Sequence, residues 1–294
     1  MKGWKRRGEW LEWTAEEELA SVWAADPAVL ELIGHKWLRT WETSGHAVVK
    51  GRRLLLRMFP EEAGPEPGPW MPLEVLYEDD FCLVADKPAG VKVHPTAEGE
   101  TGTLLHAASW HLETSGQRCR PRHIHRLDED TTGPVLLAKC EWAQVRLDAQ
   151  MREKRIHREY AALVQGRFGQ ARGTIDAAIG RDRHHPTRRR VSPTGERAVT
   201  YYEVERQFAV AALVRLRLET GRTHQIRVHL AHLGHPLFGD RLYGGRSAAE
   251  IARQALHGQR LTFSQPLTGE PVEVSSPWPE DFRLLYDRLQ HSEK

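Results

Sequence analysis

A run of prolines and glycines, Pro60-Glu-Glu-Ala-Gly-Pro-Glu-Pro-Gly-Pro-Trp-Met71, interrupts the chain. Neither a helix nor an interior strand passes through such a tract, because proline locks φ and lacks the backbone donor. The sequence therefore divides into a small N-terminal unit, residues 1–62, a semi-stiff linker, residues 63–71, and a larger unit, residues 72–294. Six of the ten tryptophans fall in the first unit: Trp4, Trp10, Trp13, Trp23, Trp37 and Trp41. Core packing in a small domain is their expected role, with stacking on nucleic-acid bases as the alternative. Asp26-Pro27 predicts a helix start, Asp26 as N-cap and Pro27 in the first helical position. That helix is expected to run through Leu30, Leu32 and Ile33 toward Trp37, and two short strands to follow around Lys50-Gly51.

Beyond Leu73, short β-rich runs recur at 74–77, 81–85, 134–138, 160–164, 198–204 and 211–218. From Val214 to Leu218 apolar and polar residues alternate, the period of a half-buried strand. Helices are expected from Glu141 to about Ile156 and from Thr223 to about Leu233. Strands outnumber helices and many adjoin as hairpins. The expected class is α+β, a mixed, mostly antiparallel sheet with flanking helices, plus a small N-terminal α/β module.

No apolar run approaches the ~18 residues needed to span a bilayer. The basic start is not followed by the apolar stretch of a secretory signal. Cys82, Cys119 and Cys140 are scattered and odd in number. Neither a disulfide framework nor a cysteine zinc site is expected, and a reducing cytoplasm is the expected compartment.

Two clusters hold most of the polar chemistry. Pro121-Arg-His-Ile-His125-Arg126-Leu127-Asp128-Glu-Asp-Thr131-Thr132-Gly133 is a polar loop feeding an apolar strand. Arg126 and two histidines beside Asp128 favour an ionised carboxylate there. A capped turn with a surface ion pair and a catalytic loop are equally open on these residues alone. The second cluster is Gly221-Arg222-Thr223-His224-Gln225-Ile226-Arg227-Val228-His229. A strand-to-helix turn at Thr220-Gly221 would aim backbone N–H groups and Arg222 at a phosphate. Between them, residues 181–197 carry six arginines, including Arg188, Arg189 and Arg190, against two acids. That composition favours a polyanion over a solvated hairpin tip. A zinc reading of His123, His125, Asp128, His229 and His232 is weaker, since no His-Glu-x-x-His motif is present and Arg126 and Arg227 would repel a cation.

At these residues the chain resembles RluA-type pseudouridine synthases, from about Leu73 to about Pro279. The resemblance rests on Lys87-Pro-Ala-Gly90, Val93-His-Pro95, His125-Arg-Leu-Asp-Glu-Asp-Thr-Thr-Gly133, Arg158-Glu-Tyr-Ala-Ala-Leu-Val164, Gly221–His229 and Gly234-His-Pro-Leu-Phe-Gly-Asp240, in the family's order. It implies a pseudouridine synthase fold and an isomerase acting on ribosomal RNA first and transfer RNA second. Asp128 matches the catalytic aspartate, Tyr160 the tyrosine against the target base, and Arg227 the arginine that pairs with the aspartate. His125, Arg126, Thr131, Arg188, Arg189, Arg190, Arg222, His224 and Gln225 are expected substrate contacts. No cofactor, nucleotide, metal or membrane is implied, and a monomer is expected. Thr132 stands where the family has Ser, and Pro134 where it has Leu. The first 62 residues resemble, with a diluted Arg and Lys pattern, the small RNA-binding module that many relatives carry. The rival reading is a catalytically silent RNA-binding or ribosome-assembly factor, which should have lost the aspartate or its arginine; both are present. A metallohydrolase is third.

The net charge of +2 is unevenly spread. Residues 117–260 carry 27 basic against 15 acidic residues, while residues 71–116 carry 2 against 8. The half holding Asp128, Tyr160 and Arg227 is the one expected to face phosphates.

Overall fold

The computed structural model describes residues 3–65 and 69–292; the centre of the expected linker, 66–68, and the ends of the two outer units, 1–2 and 293–294, lie outside the described residues. The N-terminal sheet comprises Trp4–Arg7 (β1), Trp10–Thr14 (β2), Ala47–Lys50 (β3) and Arg53–Leu56 (β4), in the order β1-β2-β4-β3. Against it pack Pro27–Ile33 (α1) and His35–Thr43 (α2). Asp26 caps α1 as expected, its Oδ1 accepting from the Ala28 amide at 2.8 Å. The single helix expected toward Trp37 is two, because Gly34 at φ 93 ends the first and opens the second. Trp41 is buried, and Trp4, Trp13, Trp23 and Trp37 pack on the same core. These five tryptophans serve packing.

That core does not stop at the linker. Leu38, Leu54 and Leu56 share one cluster with Phe81, Trp142 and Phe263. Phe59, Phe81 and Trp142 form a chain of rings with centroids 5.3 and 5.7 Å apart. The Trp142 indole N–H donates to the Ile33 carbonyl at 3.1 Å.

Past the linker, Glu74–Glu78 (β5), Cys82–Lys87 (β6), Arg122–His123 (β7) and Gly133–Ala138 (β8) form a four-stranded sheet, β5-β6-β8-β7. His157–Gln165 (β9), Arg172–Asp176 (β10), Val199–Gln207, Ala211–Leu218, Leu256–Ser264 and Pro271–Ser275 make the large sheet. Numbering Ile179–Arg181 and Arg189–Val191 as the separate hairpin β11–β12, those last four strands are β13 to β16, and the large sheet runs β10-β13-β14-β9-β15-β16. Every pairing between these strands is antiparallel, as a sequence of adjoining hairpins requires. The expected run 211–218 is β14, and its alternation places Val214 and Leu216 inward and Arg217 outward. Leu104–Thr114 (α3), Glu141–Arg152 (α4), Gln225–His232 (α5) and Glu280–His291 (α6) flank the sheets. On one face, α6 covers Ala161, Leu163 and Leu213 through Phe282, Leu285 and Leu289.

The two sheets cross at Thr132. Thr132 bridges to His257, and the Gly258 amide donates to the Thr132 carbonyl at 2.8 Å. Gly133 follows at φ 123, and a Cβ there would lie 2.2 Å from the Gly258 carbonyl oxygen. Only glycine fits, so the glycine closing the polar loop is what lets the sheets approach. That crossing sets the position of the loop just before it, which carries Asp128.

Candidate active site

Asp128 sits between β7 and β8 in a loop fixed from outside at four consecutive positions. The Lys87 ammonium donates to the carbonyls of Pro88, Val91 and Glu129 at 2.8, 2.6 and 2.5 Å. Burial lowers its pKa to about 7, against the pull of Asp130 and Asp128. Arg253 donates to the Asp130 carbonyl at 3.0 Å while its other edge grips the Asp281 carboxylate at 2.8 and 2.9 Å. Gln254 donates to the Thr131 hydroxyl at 3.2 Å. Thr132, the family's Ser position, bonds His257 Nδ1 at 2.9 Å, so the hydroxyl is what that position needs. A carboxylate on a loop held this way has little freedom left to lose when substrate binds.

Arg227, on α5, reaches the same point from the other side. Its Nη1 donates to Asp128 Oδ2 at 3.3 Å. Its Nε and Nη2 form a fork on Asp240, at 2.7 and 2.8 Å. The Asp240 carboxylate has 0% side-chain exposure. Burial acts to lower the guanidinium's pKa, but Asp240 and Asp128 raise it above the ordinary value. The shorter pair is thus with Asp240, and Asp128 takes the remaining edge of a cation held in place. Tyr243 completes the arrangement: its ring lies 5.1 Å from the Arg227 guanidinium, and its hydroxyl meets His224 Nδ1 at 2.9 Å.

Asp128, Tyr160 and Arg227 all line an open cavity of about 670 Å³. Tyr160, on β9, is 4% exposed. Burial raises its phenol pKa, with the neighbouring Arg158 guanidinium acting the other way. Of the expected contacts, His125, Arg126, Thr131, Arg222, His224 and Gln225 line the same cavity. His224 holds a left-handed backbone, φ 57, and α5 begins after it at Gln225 rather than at Thr223. Arg222 is engaged within the protein, its Nε on the Arg197 carbonyl at 3.0 Å and its Nη1 on Glu196 at 2.5 Å.

Three of these expected contacts, Gln225, Thr131 and His125, are buried residues of the cavity wall. Gln225 is 3% exposed. Its oxygen accepts from Thr220 and the Arg222 amide, and its nitrogen donates to Val199 and Thr200, bonds that brace the turn. Thr131 is buried under Gln254. His125 is buried with Nε2 accepting the Leu136 amide at 3.2 Å. The arginine hairpin hangs on Tyr243, whose hydroxyl accepts from the Arg189 amide at 2.9 Å and whose ring lies 5.8 Å from the Arg188 guanidinium. Arg190 points to solvent. The histidines of the zinc reading are used otherwise: His229 bonds Thr200 and the Ala177 carbonyl, and His123 stacks on His94 at 4.4 Å. Among the described residues no three ligand side chains cluster.

Sequence reasoning did not single out Lys87, Asp240, Tyr243, Arg253 or His257. Lys87 and Asp240 lie inside quoted motifs, and the one local signal is a charge at the end of an apolar run, as at Cys82–Ala85 before Lys87.

Burial holds His125 at a pKa of about 3 and His257 at about 4. Unfolded histidine titrates near 6.5, so the unfolded chain takes up protons below that pH that the folded chain does not. Stability should therefore fall as pH drops from 6.5 toward 4, by up to roughly 2 kcal/mol per imidazole at pH 5. His123, nearer solvent, adds less. Urea midpoints at pH 7.5 and 5 measure this; equal midpoints would contradict the buried, neutral assignment.

The sequence model of the RNA pseudouridylate synthase family matches residues 81–232. The chain is 41% identical over 286 residues to the "Uncharacterized RNA pseudouridine synthase YhcT" of Bacillus subtilis (strain 168), covering 96% of this chain and 93% of that one. It is 41% identical over 256 residues to the "Ribosomal large subunit pseudouridine synthase D" of Pseudomonas aeruginosa, covering 83% and 80%. Among solved structures, "Human RNA Pseudouridylate Synthase Domain Containing 1" superposes with a TM-score of 0.60 at 29% identity, over 73% of this chain and 87% of that one. The chain belongs to the RNA pseudouridylate synthase family. It is an RNA pseudouridine synthase, an isomerase with an α+β fold.

Proposed function

We propose that the enzyme isomerises uridine in large-subunit ribosomal RNA, with Asp128 as the catalytic carboxylate, Arg227 as its electrostatic partner and Tyr160 as the surface against the detached uracil. The observation that carries this reading is the Asp128 carboxylate held by Arg227 in an open cavity beside Tyr160. The reaction breaks the bond between uracil N1 and ribose C1′, turns the base, and joins C5 to C1′. C5 gives up its hydrogen to water and N1 gains a proton, so nothing is oxidised and no group is imported. The demands on the protein are an ionised carboxylate at the reacting centre, a face that retains the free base, and exclusion of a competing nucleophile. Transfer RNA is the second substrate class, and the names of several relatives favour ribosomal RNA. The enzyme acts as a cytoplasmic monomer without a cofactor. Residues 72–294 carry the chemistry, and residues 1–62, which turn Lys36 and Arg39 of α2 to solvent, add RNA contact.

Large-subunit ribosomal RNA transcribed with tritium at uracil C5 should release label to water, with EDTA present. Release from transfer RNA alone would move the substrate to the second class, and release from neither would refute the proposal. The arginine hairpin offers a further test. Replacing Arg188, Arg189 and Arg190 with glutamine should reduce the log–log salt slope of RNA binding by roughly 2, the effect of three single-strand phosphate contacts. An unchanged slope would show that the hairpin faces away from RNA.

A further inference from the structure

We infer that Arg158 binds a phosphate of the RNA chain next to the target uridine. This rests on the reading of the cavity given above and adds the group that would hold the nucleotide's backbone there. Arg158 lies on β9 two positions before Tyr160, so both side chains stand on the same face of the strand. Glu159, between them, faces the other way and pairs with Arg260 at 2.8 Å and Arg215 at 3.8 Å. Arg158 lines the cavity together with Asp128 and Arg227. Its Nε is buried and donates to nothing. Its Nη1 passes Gly221, where a Cβ would stand 3.4 Å away, so a side chain at 221 would crowd the approach.

The buried cation of the cavity, Arg227, is fully engaged by Asp240 and Asp128. Arg222 is engaged by Glu196. Among the described residues no carboxylate forms an ion pair with Arg158; its guanidinium meets the Tyr160 phenol, while its Nε donates to nothing. A guanidinium N–H shut off from water without an acceptor is rare in folded proteins, because the bond lost to water is not replaced. The missing partner is therefore an acceptor that arrives with substrate. Uracil offers only neutral carbonyls, which would leave the charge uncompensated. The phosphates flanking a flipped nucleotide are anionic, enter with it, and match the planar fork. Such a grip anchors the nucleotide equally before and during the reaction, so it acts on binding.

The direct test is nuclear magnetic resonance of the arginine Nε–H groups in the full chain, with the Arg158 signal identified by its loss in Arg158→Lys. Uridine 3′,5′-bisphosphate should shift that signal, inorganic phosphate should shift it less, and uridine should leave it in place. A shift with uridine equal to that with the bisphosphate would make Arg158 a reader of the base and overturn the inference, as would no shift with either phosphate. In kinetics, Arg158→Met should raise KM roughly tenfold to a hundredfold with kcat within a few fold, and Arg158→Lys should recover part. A loss confined to kcat would contradict a phosphate contact. Absence of tritium release by the unsubstituted enzyme would count against the proposed function, and the resonance titration would still decide Arg158.

Discussion

Asp128→Asn should abolish tritium release, lowering the rate on the order of 10⁴-fold or more, while RNA affinity stays within a few fold. The substitution keeps the shape of the side chain and its place beside Arg227. The loop contacts at Glu129, Asp130, Thr131 and Thr132 do not involve the Asp128 side chain, so the loop should stay in position. What is lost is the anion. An amide neither attacks carbon nor takes a proton at useful rates, and it leaves one edge of the Arg227 cation without its counter-charge. RNA affinity should hold because it is spread over the basic surface of residues 117–260. An Asn variant with full activity would remove Asp128 from the chemistry.

Asp240→Asn should lower both stability and rate, for a different reason. Asp240 is sealed from solvent and receives two of the donors of Arg227, at 2.7 and 2.8 Å. Removing the Asp240 charge leaves the buried guanidinium with only the longer contact to Asp128, which costs up to about 3–5 kcal/mol. Arg227 is then free to turn toward Asp128, and the aim of that carboxylate is lost. We expect a fall in kcat of roughly a hundredfold or more with KM little changed, because a misplacement of about 1 Å is enough for that. The double variant Arg227→Met with Asp240→Leu separates the two effects. Replacing a buried ion pair by apolar side chains is often neutral for stability, so this protein should melt near the unsubstituted enzyme yet remain inactive. A fully active, fully stable Asp240→Asn would show that the fork on Arg227 has no part in positioning.

Much of the scaffold follows from local rules. The alternation from Val214 to Leu218 marks β14, Asp26-Pro27 marks the start of α1, and Lys50-Gly51 marks the turn between β3 and β4. Where local signals compete, the reading is less complete. Gly34 lies inside an apolar helical pattern, and only its positive φ shows that it ends one helix and begins another. Trp4–Arg7 and Trp10–Thr14 pair across a turn at Gly8, and the run Lys5-Arg6-Arg7 hides the strand, whose alternation shows only in its burial. The linker is visible as composition, but the core that continues across it is not, because Trp142 meets Ile33 over 109 positions of sequence.

The site shows the same division. The loop at 125–133 reads as a place for chemistry from its polarity and its glycine, and Gly133 does take the backbone shape that only glycine fits. The pairing of Asp128 with Arg227, 99 positions apart, was accessible only through resemblance to a family. Gln225 is an expected RNA contact from its place in the Gly221–His229 motif, and the structure adds that its amide braces the turn on which Arg222 stands. Spacing along a chain does not report which way a side chain faces at a helix start, and here the helix starts two residues later than the pattern implied.

Carbodiimide mapping of pseudouridine in total RNA, from cells lacking this gene and from the same cells supplied with the enzyme or with Asp128→Asn, tests the central claim most directly. Pseudouridine should be lost at one or a few positions of large-subunit ribosomal RNA, and be restored by the enzyme and not by the Asn variant. An unchanged map, or restoration by Asp128→Asn, would contradict that claim.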